Sequence, residues 1–542
     1  MKAIGYYAYD GVICNSDGKC ITQGSREDYL RFLLADTPDC MRFFYNLNHN
    51  VANILATIGM TQKEGERLIN NGICYSTPYT IKYFTHKFFS VSYGGGLQAP
   101  FAPFANAAQY LHDKGLKVTE TPDLEWALLR AKEAAEAGNQ VLDVCRELNI
   151  GATFFATPVS AFFKARKLTF PTVDELPERV GELAYSMCNG GWVEGYQKGH
   201  FETAYDYDIN SAYPSVMRNL PDVTKGKGKW VYDKNYRPDA LLSVLRAELE
   251  IGADFHPVFF SEKRDMTRNF TPTGIWERVI NKSKYEYIKN HHIGNVEIKE
   301  GWHWYPAGEI VYPFRETIDE LYSYKAAADD DSVKRNFVKR ILTGLYGKVL
   351  ETHKGDFGDL FNPLYGAEIE NQTHVKVAEF CLDAFKQGAK PISIVVDGVV
   401  LDKEINLPAN DTIGCWRLSG KGACIAVGSG VVALERKNEG TLDTSGQNDF
   451  ILRYSAFHDM LKANPELKEY KFERTAPVTV GYAIKQNKWD LLGKLQPFTK
   501  VVDVTHEEKR LYPEYPSCGG DLLKNKYASV PLDISLLMLG KV

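Results

Sequence analysis

The stretch Tyr205-Asp-Tyr-Asp-Ile-Asn-Ser-Ala-Tyr-Pro-Ser-Val-Met217 decides how the rest of this sequence is read. A strand running into a turn sets Asp206 and Asp208 on one face, because side chains alternate with a period of two. Curling of the backbone after Asp208 then brings Ser211, Tyr213 and Pro214 around whatever the carboxylate binds. Two aspartates by themselves are explained by a polar strand end that starts a helix. The full string is far more specific than that.

Working outward, two later segments match it in chemistry. Ser332–Lys348 is predicted to be a helix, capped by Asp330 or Ser332, with Val333, Phe337, Ile341, Leu342 and Leu345 as its buried stripe. Arg335, Lys339 and Thr343 are spaced by four and share another face, with Tyr346 and Gly347 one turn on. A solvated cationic face would explain that helix alone. Lys325 on the preceding helix changes the balance, since Lys325, Arg335 and Lys339 together would cradle a triphosphate. The other segment is Ile392-Ser-Ile-Val-Val-Asp-Gly-Val-Val-Leu-Asp402. Two apolar runs around Asp-Gly signal a hairpin, so turn chemistry would explain Asp397 by itself. Such a tip also presents one carboxylate on a rigid support. Two separated carboxylates and a basic helix bearing aromatics are what two-metal phosphoryl transfer requires.

The chain has 542 residues, 44% hydrophobic and 25% charged, so it is expected to fold into more than one domain and not to be disordered. A net charge of −5 excludes a uniformly basic nucleic-acid binder but says nothing of local charge. Ten cysteines without a CxxC pair make a structural zinc unexpected and read as reduced, intracellular thiols. Without a signal-like start or a run of about 20 apolar residues, a cytoplasmic location and no membrane partner are expected. A strand is predicted over Ala3–Tyr9, a helix over Glu27–Leu34, a strand over Met41–Leu47, and helices over Asp123–Leu148, Phe314–Ala328 and Val375–Gln387. Ala184–Gly199, rich in glycine, reads as a connection between domains. Strands and helices interleave irregularly, as in an α+β fold.

In order and content these segments resemble the three polymerase motifs of family B DNA polymerases, most closely the protein-primed branch of phages and linear plasmids. Asp208-Ile-Asn-Ser-Ala-Tyr-Pro-Ser215 resembles motif A, Lys339-Arg-Ile-Leu-Thr-Gly-Leu-Tyr-Gly347 motif B, and Val395-Val-Asp-Gly398 motif C. Cys188-Asn-Gly-Gly191 stands in the place of the YxGG motif. The resemblance covers roughly residues 175–540. It implies that Asp208 and Asp397, with the Ile209 carbonyl, hold two Mg²⁺ (or Mn²⁺) ions, with Asp206 as the fallback carboxylate. It implies that Tyr213 excludes a 2′-hydroxyl, that Lys325, Arg335, Lys339 and Thr343 line the nucleotide site, and that Tyr346 and Gly347 pack on the nascent base pair. Gly190 and Gly191 would contact DNA, as would Lys421 and Lys485, which stand in for a KxY-type primer motif. Four positions depart from the pattern: Val395 replaces the first motif C aspartate, Thr343 the motif B asparagine, Cys188 the YxGG tyrosine, and no KxY string follows motif C.

The N-terminal region is similar to the proofreading exonuclease domain of the family with its chemistry removed. Phe43-Phe-Tyr-Asn-Leu-Asn-His-Asn50 keeps Asn46 but has Asn50 where the family has a metal aspartate. No DxE motif precedes it, and the YxxxD motif is absent from the Asp123–Leu148 helix. The resemblance thus implies an RNase H-like exonuclease-type domain over 1–175 without activity, and a polymerase right hand beyond it. The right hand divides into palm 176–313, fingers 314–350, palm 351–475 and thumb 476–542. The expected function is template-directed addition of dNTPs to a 3′-hydroxyl on a DNA template-primer, without proofreading and with a terminal protein as partner. A primer-independent primase-polymerase and a catalytically weak nucleic-acid-binding relative stand beside it, the latter motivated by Val395 and Thr343. A bland α+β protein with an Asp-Gly hairpin is the reading from another class.

Overall fold

In the computed structural model, the described residues are 2–535 apart from 36–39, 86, 95–99, 108–109, 111–122, 151–157, 264–266, 331, 354, 409, 437–438, 445–453 and 518. Cys518 therefore lies outside them. The chain separates into two units. One comprises Met1–Leu168, Glu320–Gly344 and Glu473–Thr499, and the other Thr169–Asp319, Leu345–Phe472 and Lys500–Val542.

The first unit is built on an eight-stranded sheet. Its strands are β1 (Lys2–Tyr9), β2 (Val12–Asn15), β3 (Cys20–Ile21), β4 (Cys40–Phe44), β5 (Ile73–Ser76), β6 (Tyr79–Phe84), β7 (Phe88–Tyr93) and β8 (Phe101–Asn106), in the order β3-β2-β1-β4-β8-β7-β6-β5. β1–β3 are antiparallel, and β4 and β8 add in parallel. That is the strand order of the expected RNase H-like layer, with β5–β7 inserted before β8. The helix expected over Asp123–Leu148 forms at Leu124–Glu147, and Asp123 caps it by accepting from the Trp126 amide at 2.7 Å. It lies hard against β1: a Cβ on Gly5 would stand 1.8 Å from the Ala131 carbonyl oxygen, so only glycine allows this approach. Two expectations are corrected here. The strand over Met41–Leu47 stops at Phe44, because Asn46 accepts from the His49 amide and caps a helix, Leu47–Thr57. Cys14 and Cys20 are not free thiols. They face one another across β2 and β3 with Cα atoms 4.2 Å apart and form a disulfide.

The second unit centres on a sheet of β9 (Val193–Gly195), β10 (Gln197–Ile209), β11 (Pro391–Val395), β12 (Gly398–Leu401), β13 (Trp416–Gly428), β14 (Val431–Arg436) and β15 (Glu439–Thr444). Their order is β15-β14-β13-β10-β12-β11-β9, with Lys526–Ala528 pairing with the start of β10. A second, four-stranded sheet takes in Gly228–Tyr232, Leu242–Ile251, Gly274–Asn281 and Gly294–Pro306. The helix expected over Val375–Gln387 is longer, Pro363–Lys386. Asn362 accepts from the Leu364 and Tyr365 amides, and Pro363 opens the first turn. Its Val377, Ala378, Phe380 and Cys381 pack on Tyr207, Ile209, Ile394 and Val399 of the sheet. The glycine-rich Ala184–Gly199 is no linker. It holds the end of a helix, the edge strand β9 and the start of β10, all inside this unit.

The helices expected at Phe314–Ala328 and Ser332–Tyr346 are seen at Arg315–Ala327 and Val333–Val349. The Ser332 hydroxyl accepts from the Arg335 amide. Among the described residues no helix is long and apolar enough to cross a membrane.

Candidate active site

β10 delivers the acidic string. It is central in its sheet, pairing with β12 on one side and β13 on the other. Asp208 stands opposite Gly398 on β12, and the Ile209 amide donates to the Asp397 carbonyl at 3.3 Å, so Asp208 and Asp397 are neighbours across the strands. The hairpin carrying Asp397 turns one residue earlier than Asp-Gly chemistry predicts. Val395 pairs with Gly398, leaving Val396 and Asp397 as the two turn residues. Val396 has φ +60, a conformation a β-branched residue adopts only under strain. The strain is held by neighbours. The Val396 amide donates to the Trp192 carbonyl at 2.6 Å, and a Cβ on Gly191 would meet the valine at 2.7 Å. The glycine of the connecting segment thus makes room for the hairpin that holds Asp397.

A cation already faces Asp208. Arg417, opposite it on β13, brings Nη2 to 3.4 Å from Asp208 Oδ2, with both side chains partly open to water. Asp206 is different: it is buried and accepts from the Ser419 hydroxyl at 3.0 Å. Among the described residues no group of three or more His, Cys, Asp or Glu gathers at one place. The donors offered to a metal are therefore the Asp208–Asp397 pair and nearby backbone carbonyls, hard oxygen ligands suited to Mg²⁺ or Mn²⁺.

After Asp208 the chain turns at Ser211, itself at φ +54, into the short helix Ala212–Met217. This presents Tyr213 to Tyr346, with ring centroids 4.4 Å apart. Burial, followed by the charges of Glu370 and Asp397, pushes the Tyr213 hydroxyl pKa up, so it stays protonated. Gly347 leaves open space where a Cβ would stand.

Glu370 went unnoticed in the sequence, yet it ties these parts together. It lies in the middle of the Pro363–Lys386 helix and is buried. Its Oε2 accepts from the Asn189 and Gly190 amides at 2.6 and 2.9 Å, and its Oε1 from the Tyr346 hydroxyl. Burial and Glu370 push the Tyr346 hydroxyl pKa up, which keeps it a donor. Asn371 and His374 of the same helix complete the clamp. Asn371 accepts from the Asn189 side chain at 3.2 Å, and His374 Nε2 donates to the Gly190 carbonyl at 2.9 Å. Burial, helped by the nearby Lys284, drives the His374 pKa well down and leaves it neutral. The one sequence signal for this clamp was Asn362-Pro363, a helix start that puts residues 370, 371 and 374 on one face.

The remaining expected residues divide between the units. Lys421 is exposed on β13, opposite Tyr205, in the second unit. Lys325, Arg335, Lys339, Thr343 and Lys485 belong to the first unit and are not brought together with the carboxylates within either unit. There Arg335 donates to the Lys325 carbonyl at 2.9 Å and pairs with Asp330 at 3.1 Å. The Thr343 hydroxyl turns back to the Lys339 carbonyl at 3.0 Å, Lys339 is exposed, and Lys325 is buried with its ammonium over the Tyr322 ring.

At the place of the second exonuclease motif the residues of the motif itself are neutral, and the carboxylate next to them is that of Asp10, whose amide donates to Asn53 Oδ1 at 3.2 Å. Asn50 accepts from the Ala8 amide at 2.5 Å and donates to the Asn46 carbonyl at 2.6 Å, bridging helix to β1. The Tyr7 hydroxyl meets His49 Nε2 at 2.8 Å, and Asn53 donates to the His49 carbonyl. Complete burial lowers the His49 pKa to about 4, so the ring carries no charge at neutral pH.

Residues 187–349 match the family model described as DNA polymerase type B, organellar and viral. Over most of its length the chain is similar in fold to Phi29 DNA polymerase. The complex of that enzyme with primer-template DNA and incoming nucleotide superposes with a TM-score of 0.61 at 13% identity, over 93% of this chain and 98% of that one. Its orthorhombic crystal form gives 0.61 at 14% identity, over 93% and 100%. The complex with single-stranded DNA gives 0.59 at 13%, again over 93% and 100%. No curated protein sequence matches. The fold is that of a family B DNA polymerase.

Proposed function

We propose that this chain, whose fold is that of family B DNA polymerases, is a template-directed DNA polymerase that adds dNTPs to a 3′-hydroxyl and does not proofread. The observation that carries this is the pairing of Asp208 with the strained hairpin tip at Asp397, beside the Tyr213–Tyr346 ring pair. Asp208 and Asp397 hold the divalent cations, which when bound neutralise phosphate charge and make the primer hydroxyl a better nucleophile. Arg417 balances the Asp208 carboxylate. Tyr213, fixed by Tyr346, closes the space beside a nucleotide sugar C2′. Lys325, Arg335 and Lys339, together with Thr343, line the triphosphate side. Gly190, Gly191, Lys421 and Lys485 contact the DNA. A terminal protein is the proposed primer.

Extension of a primed template by the full chain with Mg²⁺ and dNTPs tests this directly. Product is expected, whereas its absence would favour the nucleic-acid-binding reading and synthesis on unprimed template the primase. Sugar selection follows from Tyr213. Tyr213→Ala removes a clash of the size that overpacking usually imposes, so the preference for dNTP over rNTP should fall roughly 5- to 150-fold in kcat/KM. Unchanged selection would take the role from Tyr213.

The Tyr7–His49–Asn50–Asn53 network supports the second half of the reading, since neutral side chains cannot hold two cations for hydrolysis. A 5′-labelled single strand incubated with the chain and Mg²⁺ should keep its 3′ end. Shortening that is lost on chelation would show that a carboxylate set had been missed.

A further inference from the structure

β5–β8 make up the antiparallel part of the first unit's sheet. One face, with Tyr79, Ile81, Tyr83, Phe89, Val91, Ala102 and Phe104, is core. The other face is covered only in part: Ser90 is buried there, whereas Tyr75, Lys82, Phe84 and Phe101 are exposed. In one cross-strand row Tyr75 stands opposite Thr80, Thr80 opposite Ser92, and Ser92 opposite Phe101. The next row sets exposed Lys82 between Ile73 and Ser90, and beyond it Phe84 stacks on Phe88 at 5.0 Å and 28°. Tyr75, Phe101 and Phe84 are 71%, 52% and 45% exposed, so these rings are not contributing to a core. Gly72, at φ +71, lets Phe84 lie flat on the backbone, since a Cβ there would stand 2.6 Å from the ring. At roughly 4.8 Å per strand, Tyr75 and Phe101 are about 14 Å apart along the row.

Charge says what such a face fits. Between Asn71 and Tyr110 the sequence contains Lys82 and Lys87 and no Asp or Glu, in a chain whose net charge is −5. An apolar protein partner gains nothing from that exclusion of acid, whereas a polyanion does. Open aromatic faces on a sheet, interleaved with hydroxyls and a lysine, suit bases that are not already stacked in a duplex.

We propose that this face of β5–β8 is a stacking platform for single-stranded nucleic acid. Bases lie on Tyr75 and Phe101, the Thr80 and Ser92 hydroxyls bond to base edges or sugars, Lys82 pairs with a phosphate, and the Phe84–Phe88 pair borders the platform. No residue of the second unit takes part, so the inference stands apart from the polymerase chemistry.

The test uses the full chain with a fluorescein-labelled oligothymidylate, and with the same oligonucleotide carrying 5-iodouracil for photocrosslinking. Crosslinked peptides are expected from β5–β8, at Tyr75, Phe84 or Phe101. Tyr75→Ala with Phe101→Ala should abolish those crosslinks and weaken binding roughly 30-fold, while Tyr75→Phe retains both. Lys82→Gln should flatten the dependence of log K on log salt by about 0.7. The double variant should melt with the wild type, because both rings are exposed. Crosslinks confined to other segments, or a correctly folded double variant that binds and crosslinks as the wild type does, would overturn the proposal. So would a face that proves to mediate self-association in sedimentation without crosslinking. A chain that crosslinks here but extends no primer would leave this inference standing and remove the polymerase reading.

Discussion

Asp208→Asn and Asp397→Asn should each lower primer extension at least about 10³-fold, while Asp206→Asn stays within about tenfold of wild type. Asparagine preserves the size of the side chain and removes the charge, so the loss reports on cation binding and not on packing. Asp208 lies in mid-sheet and Asp397 at a tip whose Val396 is held at φ +60 by Trp192 and Gly191. Neither carboxylate can be replaced by a neighbour moving in, because both backbones are pinned. Asp206 is buried and its carboxylate is already engaged by the Ser419 hydroxyl. Single-turnover extension at saturating dNTP, with Mg²⁺ titrated, separates weakened metal binding from lost chemistry. Activity that survives in either Asp208→Asn or Asp397→Asn would end the metal-site assignment. Loss in Asp206→Asn alone would move the site to the fallback carboxylate.

The second large effect is expected at Glu370. Glu370→Ala orphans the Asn189 and Gly190 amides and the Tyr346 hydroxyl together, the first of them buried and the other two partly so. At about 1–2 kcal/mol for each stranded donor, the lower half of the usual range because two of the three are only partly buried, the second unit should lose roughly 3–6 kcal/mol. In calorimetry that corresponds to a transition lowered by about 5–10 °C. Glu370→Gln should cost far less. Its amide oxygen still accepts from the two backbone amides, and its NH₂ donates to the Tyr346 oxygen once that hydroxyl rotates. A third variant, Glu370→Met, distinguishes a clamp from generic core packing, since it keeps the side-chain volume and removes both acceptors: a clamp makes it as unstable as Glu370→Ala, whereas packing alone leaves it near wild type. Extension should fall with Glu370→Ala at temperatures where the unit is still folded, because Tyr346 loses the anchor that holds it against Tyr213. An Ala variant as stable as wild type would refute the clamp.

Much of this was legible in local strings. A strand that ends in Asp-Ile-Asn-Ser-Ala-Tyr-Pro, a capped helix over Leu124–Glu147 and an apolar hairpin at Pro391–Leu401 are all encoded by residues close in the chain. The errors fell where a distant partner overruled a local signal. Asp-Gly chemistry predicts the turn at 397–398. Pairing of Asp208 with Gly398 and of Val395 with Gly398 moves it to Val396–Asp397. Glycines that read as a linker are there because Val396 and the Ser429 backbone approach Gly191 and Gly195 too closely for a Cβ. Cys14 and Cys20 read as scattered thiols until β2 and β3 set them face to face.

The sequence by itself determined which side chains carry charge and which segments take period two or helical spacing. It thereby determined the α+β character, the identity of the candidate carboxylates and the neutral character of Asn46–Asn50. It took the packed chain to set Asp397 beside Asp208, to make Glu370 clamp a loop 181 residues earlier in the chain, and to leave Tyr75 and Phe101 exposed on β5 and β8. The reason is physical. Propensity and periodicity act over a few residues, whereas strand pairing, burial of a carboxylate and the strain stored at Val396 exist only once remote segments are packed together.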